Sequence, residues 1–251
     1  MLPDRIAGWA ISYFDVLDST NAEAKRRALS GTQERTVFAA GTQTLGRGRM
    51  TRRWESPAGA GLWMTQLLFP QTVAAKDAGG AVFLGAVALC KCLRDRTGAD
   101  VRIKWPNDLV LNGKKLCGML AECGLDGDRC DWLALGIGLN LRKGMLPGDL
   151  VYASSVEEET GLVLTEEAIL RDYLLRFDEL ETLWERDGLR PVLERMRPLS
   201  ATLGKEIRVN GEHAFALDVT EDGALLVRGD DGAERIVRAG DVSVRGITDY
   251  V

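Results

Sequence analysis

Lys104-Trp105-Pro106-Asn107-Asp108-Leu109-Val110-Leu111-Asn112-Gly113-Lys114-Lys115-Leu116-Cys117-Gly118 is the stretch around which the chain is organised. Asn112-Gly113 between two apolar runs predicts a hairpin with a two-residue turn. With that turn Val110 faces Lys115 and Asp108 faces Cys117, and facing residues project to the same side of the ribbon. Asp108 and Lys115 then share a face as diagonal neighbours. A carboxylate and an ammonium placed so form either a surface salt bridge or part of a site that handles a phosphate and its metal ion. Pro106 fixes the backbone between Trp105 and the polar Asn107-Asp108 corner.

Upstream, residues 41 to 57 carry Arg47, Arg49, Arg52 and Arg53 within seven positions, interleaved with Gly46 and Gly48. Glycine lets backbone N–H groups approach an anion closely. Arginine adds a permanently charged fork that suits phosphate or carboxylate. The alternative is a solvated basic loop. The segment looks at first like a P-loop, but Arg47 and Gly48 stand where the lysine and the metal-binding hydroxyl belong. Gly136-x-Gly138 likewise begins like a dinucleotide fingerprint and lacks its third glycine, with Leu141 in that place.

The surrounding pattern predicts a strand over 9–16 and a helix capped by Asp18-Ser19-Thr20-Asn21. Further strands are predicted over 37–40 and 61–69, and a helix over 76–97 closed by Gly98. On that helix Cys90 and Cys92, two apart, read as one core and one surface residue. Residues 132–141 read as an apolar strand in which Gly136 and Gly138 mark a close approach by a ligand or another backbone. Apolar residues at three- and four-residue spacing predict a helix from Thr165 to Gly188, and a shorter one starts near Pro191. After Pro198, short apolar runs at 206–209, 214–219, 224–228 and 235–238 alternate with tight turns, as in a small antiparallel barrel. This divides the chain into residues 1–197 and 198–251.

The chain has 251 residues, 45% hydrophobic and 27% charged, with a net charge of -5. An acidic protein is a poor general binder of nucleic acid, so the arginine cluster suits a small anionic ligand better than a duplex. No apolar run is long enough to span a bilayer, and residues 1–5 lack signal-peptide architecture. Five irregularly spaced cysteines predict reduced thiols and a cytoplasmic protein. With one histidine and no CxxC pair, no structural zinc is expected.

Four blocks, in order, resemble the biotin–protein ligases: Asp18-Ser19-Thr20-Asn21; Gln43 through Trp54; Lys104-Trp105-Pro106-Asn107-Asp108 with Lys115 and Gly118; and Gly136-x-Gly138-x-Asn140. The resemblance covers essentially the whole chain. It implies an α+β catalytic domain with a mixed, largely antiparallel sheet like that of class II aminoacyl-tRNA synthetases, followed by an SH3-like barrel. It implies ATP, Mg²⁺ and biotin as ligands and biotinyl-5′-AMP as intermediate. The implied acceptor is a lysine of a biotin carboxyl carrier protein. Ser19, Thr20, Asn21, Gln43, Gly46, Arg47, Lys115 and Gly118 match the biotin-binding positions. Arg47, Arg49, Arg52, Trp54, Lys115 and Asn140 match those for ATP and the adenylate, with Trp54 on the adenine ring and Asn140 at its edge. Lys115, Arg49 and Asp108 are the catalytic candidates, Asp108 near Mg²⁺ or the attacking lysine.

Only 17 residues precede Asp18, too few for the winged helix-turn-helix of bifunctional relatives, so a monofunctional type without operator binding is expected. Neither membrane attachment nor sequence-specific DNA binding is expected, and the protein is expected to be a monomer or homodimer. Competing readings are a lipoate– or octanoate–protein ligase, a non-catalytic biotin-responsive regulator, and a small nucleic-acid binder.

Overall fold

A computed structural model describes residues 2–50, 52–239, 244–246 and 250. The first large element is an eight-stranded sheet. Its strands are β1 (Arg5–Ile6), β2 (Trp9–Leu17), β3 (Thr36–Gln43), β4 (Gly61–Leu68), β5 (Arg102–Lys104), β6 (Asp108–Leu111), β7 (Lys114–Asp126) and β8 (Arg129–Asn140). They lie in the order β1-β2-β3-β4-β8-β7-β6-β5. Only the β2–β3 pair is parallel, because α1 (Thr20–Leu29) crosses between those strands. This is the mixed, largely antiparallel α+β sheet expected.

Strand alternation sorts the sheet into two faces. Leu133, Leu135, Ile137 and Leu139 of β8 join Leu62, Met64 and Leu68 of β4 in the main core. That core is completed by α2 (Ala81–Thr97), α4 (Glu166–Asp187) and α5 (Arg190–Met196); the short α3 (Val156–Thr160) was not foreseen. On the opposite face, Trp132 and Ala134 of β8 pack with Phe38, Leu67 and α1 residues Ala24 and Ala28. Beyond Ala134 the even positions shrink to Gly136 and Gly138 and end at Asn140. The bulk packed against α1 therefore gives way on that face to an open cavity, with Asn21 of α1 over Gly136 and Trp54 over Gly138.

The expected helix over 76–97 splits. Ala75–Gly80 is a 3₁₀ turn and the α-helix starts at Ala81, since the Gly79-Gly80 pair favours helix poorly. Gly98 closes it at φ +69°. Cys90 and Cys92 are both fully buried, which corrects the surface assignment. The helix is enclosed between the sheet and α4 with α5, so it has no wet face over these turns.

The second sheet contains β9 (Glu206–Val209), β10 (Glu212–Val219), β11 (Leu225–Gly229), β12 (Glu234–Val237) and β13 (Val244–Gly246), in the order β12-β11-β10-β9-β13. All its pairings are antiparallel. The first four strands match the expected runs closely. Trp105 fastens the two sheets together. It is 1% exposed, its indole N–H donates to Gly223 O at 2.9 Å, and its backbone N–H donates to Thr202 Oγ1 at 3.0 Å. One hydrophobic core runs through both units. We propose that the first unit ends at residue 197, where α5 is complete.

A charged cluster lies away from the open face. Arg35 reaches Asp178 Oδ1 at 2.9 Å and also pairs with Glu181, and its guanidinium sits 4.0 Å from the Trp9 ring centroid. Burial pushes the Glu181 carboxyl up to about 7 despite Arg35. The folded protein thus holds this proton more tightly than the unfolded chain, where a glutamate titrates near ~4.3. The stability it contributes is full below that lower value and is lost as pH rises through about 7. Glu181→Gln is therefore expected to melt like the parent at pH 4 and to become the more stable protein by pH 8.5, by roughly 3–4 kcal/mol. A melting difference that does not change with pH would contradict this.

Candidate active site

The Asn112-Gly113 turn forms as expected, with both residues at positive φ, and Val110 pairs with Lys115. The register then slips, so Leu109 pairs with Cys117 and Asp108 with Gly118. Asp108 therefore does not face Cys117 as expected, because a β-bulge inserts Leu116 as an extra residue. The bulge changes the parity of β7, and Lys115 and Gly118, three apart, both face the open side while Cys117 turns into the core. The Asp108–Lys115 pairing survives, with Lys115 Nζ 2.7 Å from Asp108 Oδ1. The start of β7 is also tied to the segment before α3, where Lys115 N–H donates to Tyr152 O at 2.7 Å and Ser154 N–H to Lys115 O at 2.9 Å.

A cavity runs along the small-residue face of β8. Ser19, Thr20, Asn21, Gln43, Arg47, Arg49, Arg52, Trp54, Asp108, Lys115, Gly118 and Asn140 all line it. Gly46 does not. It lies buried under the arginine loop, where a Cβ would come within 2.4 Å of Trp54 O.

The end of the cavity near Gly136 is polar. Thr20 donates to Gln43 Oε1 through its backbone N–H at 2.8 Å and its hydroxyl at 3.1 Å. Gln43 Nε2 donates to Ser56 Oγ at 2.9 Å. Gln43 comes beside Thr20 because the parallel register pairs Leu17 with Gln43. Ser19 caps α1, accepting from Ala22 N–H at 3.4 Å. Asn21 is held inside the protein: Nδ2 donates to Glu122 Oε2 at 2.8 Å and Oδ1 lies 2.7 Å from Thr65 Oγ1. Its amide rests on Gly136, where a Cβ would meet Oδ1 at 2.0 Å. Asp18 faces away and forms a bidentate pair with Arg26, both contacts at 2.8 Å.

Trp54 covers the middle. Gly118 and Gly138 are cross-strand partners, and a Cβ on Gly138 would meet the indole at 2.3 Å, one on Gly118 at 2.9 Å. What approaches these glycines is a side chain. The ring lies edge-on to Trp63, with centroids 6.2 Å apart, and 5.2 Å from Lys115 Nζ. Its indole N–H is buried and finds no acceptor among the described residues. Asn140 Nδ2 donates to Ser154 O at 2.9 Å, fixing the far wall.

The other end is cationic. The arginine loop is a small hairpin, closed by an Arg47↔Arg53 bridge and by Gly48 N–H to Arg52 O at 2.7 Å. Arg49 extends from it to Asn107 Oδ1 at 3.0 Å and to the backbone carbonyl of Ala239. Arg47 lies 3.8 Å from Glu122, and Arg52 is exposed. Burial alone would raise the Asp108 carboxyl, but the Lys115 and Lys104 ammoniums hold it below the ordinary carboxylate range. Burial pushes Lys104 down to about 8. Lys104 stands in one of the four blocks but carried no assigned role, and Thr65, Arg245 and Tyr250 were missed from the sequence. Thr65 carried a signal, a hydroxyl that with Gln66 interrupts an apolar strand.

A sheet with a polar pocket at one end of a cavity and clustered cations at the other defines a protein that brings a small ligand up to an anion. The comparisons agree with that class. Residues 13–140 match the biotin/lipoate A/B protein ligase family and residues 202–245 the biotin protein ligase C-terminal domain. The chain is 31% identical to the bifunctional ligase/repressor BirA of Bacillus subtilis over 245 residues, covering 95% of this chain and 75% of that protein. It is 32% identical to the biotin–[acetyl-CoA-carboxylase] ligase of Paracoccus denitrificans over 240 residues, covering 88% of this chain and 95% of that one. A biotin protein ligase from Aquifex aeolicus in complex with biotin and ATP has the same fold, with a TM-score of 0.80 at 24% identity over 94% of this chain and 98% of that one. The chain belongs to the biotin/lipoate A/B protein ligase family.

Proposed function

We propose that the protein is a biotin–protein ligase. It activates biotin with ATP to biotinyl-5′-AMP and transfers the biotinyl group to a lysine of a biotin carboxyl carrier protein. The observation that carries this reading is the position of Lys115. Its ammonium lies between the Trp54–Gly118 floor and Asp108 in the cationic end. That is where an acid and a nucleotide entering from opposite ends would meet.

Ser19, Thr20 and Gln43 offer hydroxyl and amide groups to a ureido ring, and Asn21 holds the helix against Gly136 beside them. Trp54 walls the passage; its position on the glycine floor supports a role on the acyl side of Lys115 as well as beside the adenylate. Arg47, Arg49 and Arg52 supply phosphate contacts, and Asn140 shapes the nucleotide end. The biotin carboxylate oxygen attacks the α-phosphorus and the bond to the bridging oxygen breaks, releasing pyrophosphate. Lys115 offsets the repulsion between the two anions and stabilises the charge that grows on the α-phosphoryl oxygens. The carrier lysine then attacks the acyl carbon as a neutral amine, forming an amide and releasing AMP and a proton. Asp108, held ionised by two ammoniums, is a weak base, so its role is to orient Lys115.

Asp108 does not fit a resident Mg²⁺. One oxygen faces Lys115 and the other accepts from the Tyr250 hydroxyl. Among the described residues no three His, Cys, Asp or Glu side chains cluster as metal ligands. Mg²⁺ belongs here to the substrate, as the ATP complex.

No helix among the described residues is long and apolar enough to cross a membrane. A cytoplasmic site of action suits the proposed carrier substrate. The test is ATP-dependent pyrophosphate release with biotin or lipoate, followed by transfer to a carrier domain. The amide and hydroxyl pocket favours a ureido ring over a dithiolane, so release with biotin and little with lipoate is expected. The reverse order would contradict the assignment.

A further inference from the structure

Tyr250 belongs to no strand, yet it is only 8% exposed and its ring stands in the cationic end of the cavity. Lys104 Nζ lies 3.7 Å from the ring centroid and the Arg245 guanidinium carbon 4.8 Å from it. The Tyr152 ring is 5.7 Å away, and the Tyr250 hydroxyl donates to Asp108 Oδ2. Tyr250 thus holds two cations and the carboxylate that faces Lys115.

Lys104 is the group that makes this arrangement informative. It is 5% exposed and lines the cavity. Among the described residues its ammonium has no hydrogen-bond acceptor and no carboxylate within ion-pair reach; what faces it is the π-face of Tyr250. An ammonium that lines a cavity without a protein acceptor depends on water or a ligand for its hydrogen bonds. A ring face offers only a quadrupole, whereas a phosphate oxygen offers a full charge and lone pairs. Around Asp108 stand Lys104, Lys115 and Arg49, so the cluster carries a cationic surplus that one carboxylate cannot balance.

We propose that Tyr250 is a displaceable cover over an anion seat built on Lys104, and that the phosphates of the bound nucleotide take its place. The inference rests on the ATP-dependent reading above and adds a residue and a step to it. With the seat empty, the ring shields Lys104 from Arg245. When a polyphosphate enters, both cations exchange the ring for phosphate oxygens, and the hydroxyl releases Asp108 Oδ2. Nucleotide entry and pyrophosphate departure then compete with the same side chain.

Pyrophosphate titrated calorimetrically into the full chain, without biotin or ATP, tests this. Tyr250→Ala is expected to bind about tenfold more tightly than the parent, equivalent to about 1.4 kcal/mol, because no cover has to be displaced. Tyr250→Phe, which keeps the ring and loses the bond to Asp108, is expected to tighten binding about threefold, roughly 0.65 kcal/mol. Lys104→Met is expected to weaken it at least tenfold. Equal or weaker binding by Tyr250→Ala overturns the cover, and unchanged binding by Lys104→Met overturns the seat. Should Tyr250→Ala not fold, Tyr250→Phe decides by the same criterion. Biotin-dependent exchange of label between pyrophosphate and ATP by the parent protein is the separate arm. Its absence strikes the ligase reading, whereas exchange with unaltered affinity in Tyr250→Ala strikes only the cover.

Discussion

Lys115→Ala is expected to lower biotin-dependent pyrophosphate release by about 10²–10³-fold, the usual cost of removing one donor aimed at developing charge. The side chain is placed for this by three local features. The Asn112-Gly113 turn starts β7, the bulge at Leu116 keeps Lys115 and Gly118 on one face, and Asp108 holds the ammonium at 2.7 Å. The loss should fall mainly on the rate of the chemical step, because charge on the α-phosphoryl oxygens peaks in the transition state. Biotin itself should still bind through Ser19, Thr20 and Gln43. Rapid-quench measurement of adenylate formation separates the two effects, and adenylate formation at the parent rate would remove Lys115 from the mechanism.

Asp108→Asn should produce the largest loss of stability. Asp108 is 7% exposed and faces the ammonium of Lys115, with Lys104 close enough to shift its titration. Removing one member of a buried ion pair leaves the other uncompensated and costs about 3–5 kcal/mol. For a chain of this length that corresponds to a fall in melting temperature of roughly 10 °C. The excess positive charge should then favour anions, so tripolyphosphate should restore more of the melting temperature in the variant than it adds to the parent. An unchanged melting temperature would show that Asp108 is not the counter-charge of the cluster.

The parts of the fold governed by local rules were readable from the residues. The Asn112-Gly113 turn, a helix cap within Asp18-Ser19-Thr20-Asn21 and the Gly98 stop each follow from backbone preference, and each appears where expected. The bulge at Leu116 was not readable, because nothing in Lys-Leu-Cys-Gly marks an extra residue. It arises because Gly118 must face Gly138 while Cys117 fills the core. The surface place expected for one of Cys90 and Cys92 does not exist, because an enclosed helix gives up the one-sided pattern.

The candidate site divides in the same way. Residues within the four blocks converge on one cavity, since the sheet brings β2–α1, β3, β7 and β8 together. Arg245, within β13 of the second sheet, and Tyr250, five residues further along the chain, reach it from more than a hundred residues beyond Asp108. No spacing rule connects them, and only the docking of Trp105 against Gly223 and Thr202 brings that part of the chain near.

The most direct test of the central claim is a crystal structure of the full chain with biotinyl-5′-AMP. Lys115 Nζ should lie within about 3.2 Å of an acyl or α-phosphoryl oxygen, with the arginine loop folded over the ligand. An ammonium still bound only to Asp108, beneath a loop turned outward, would contradict the account.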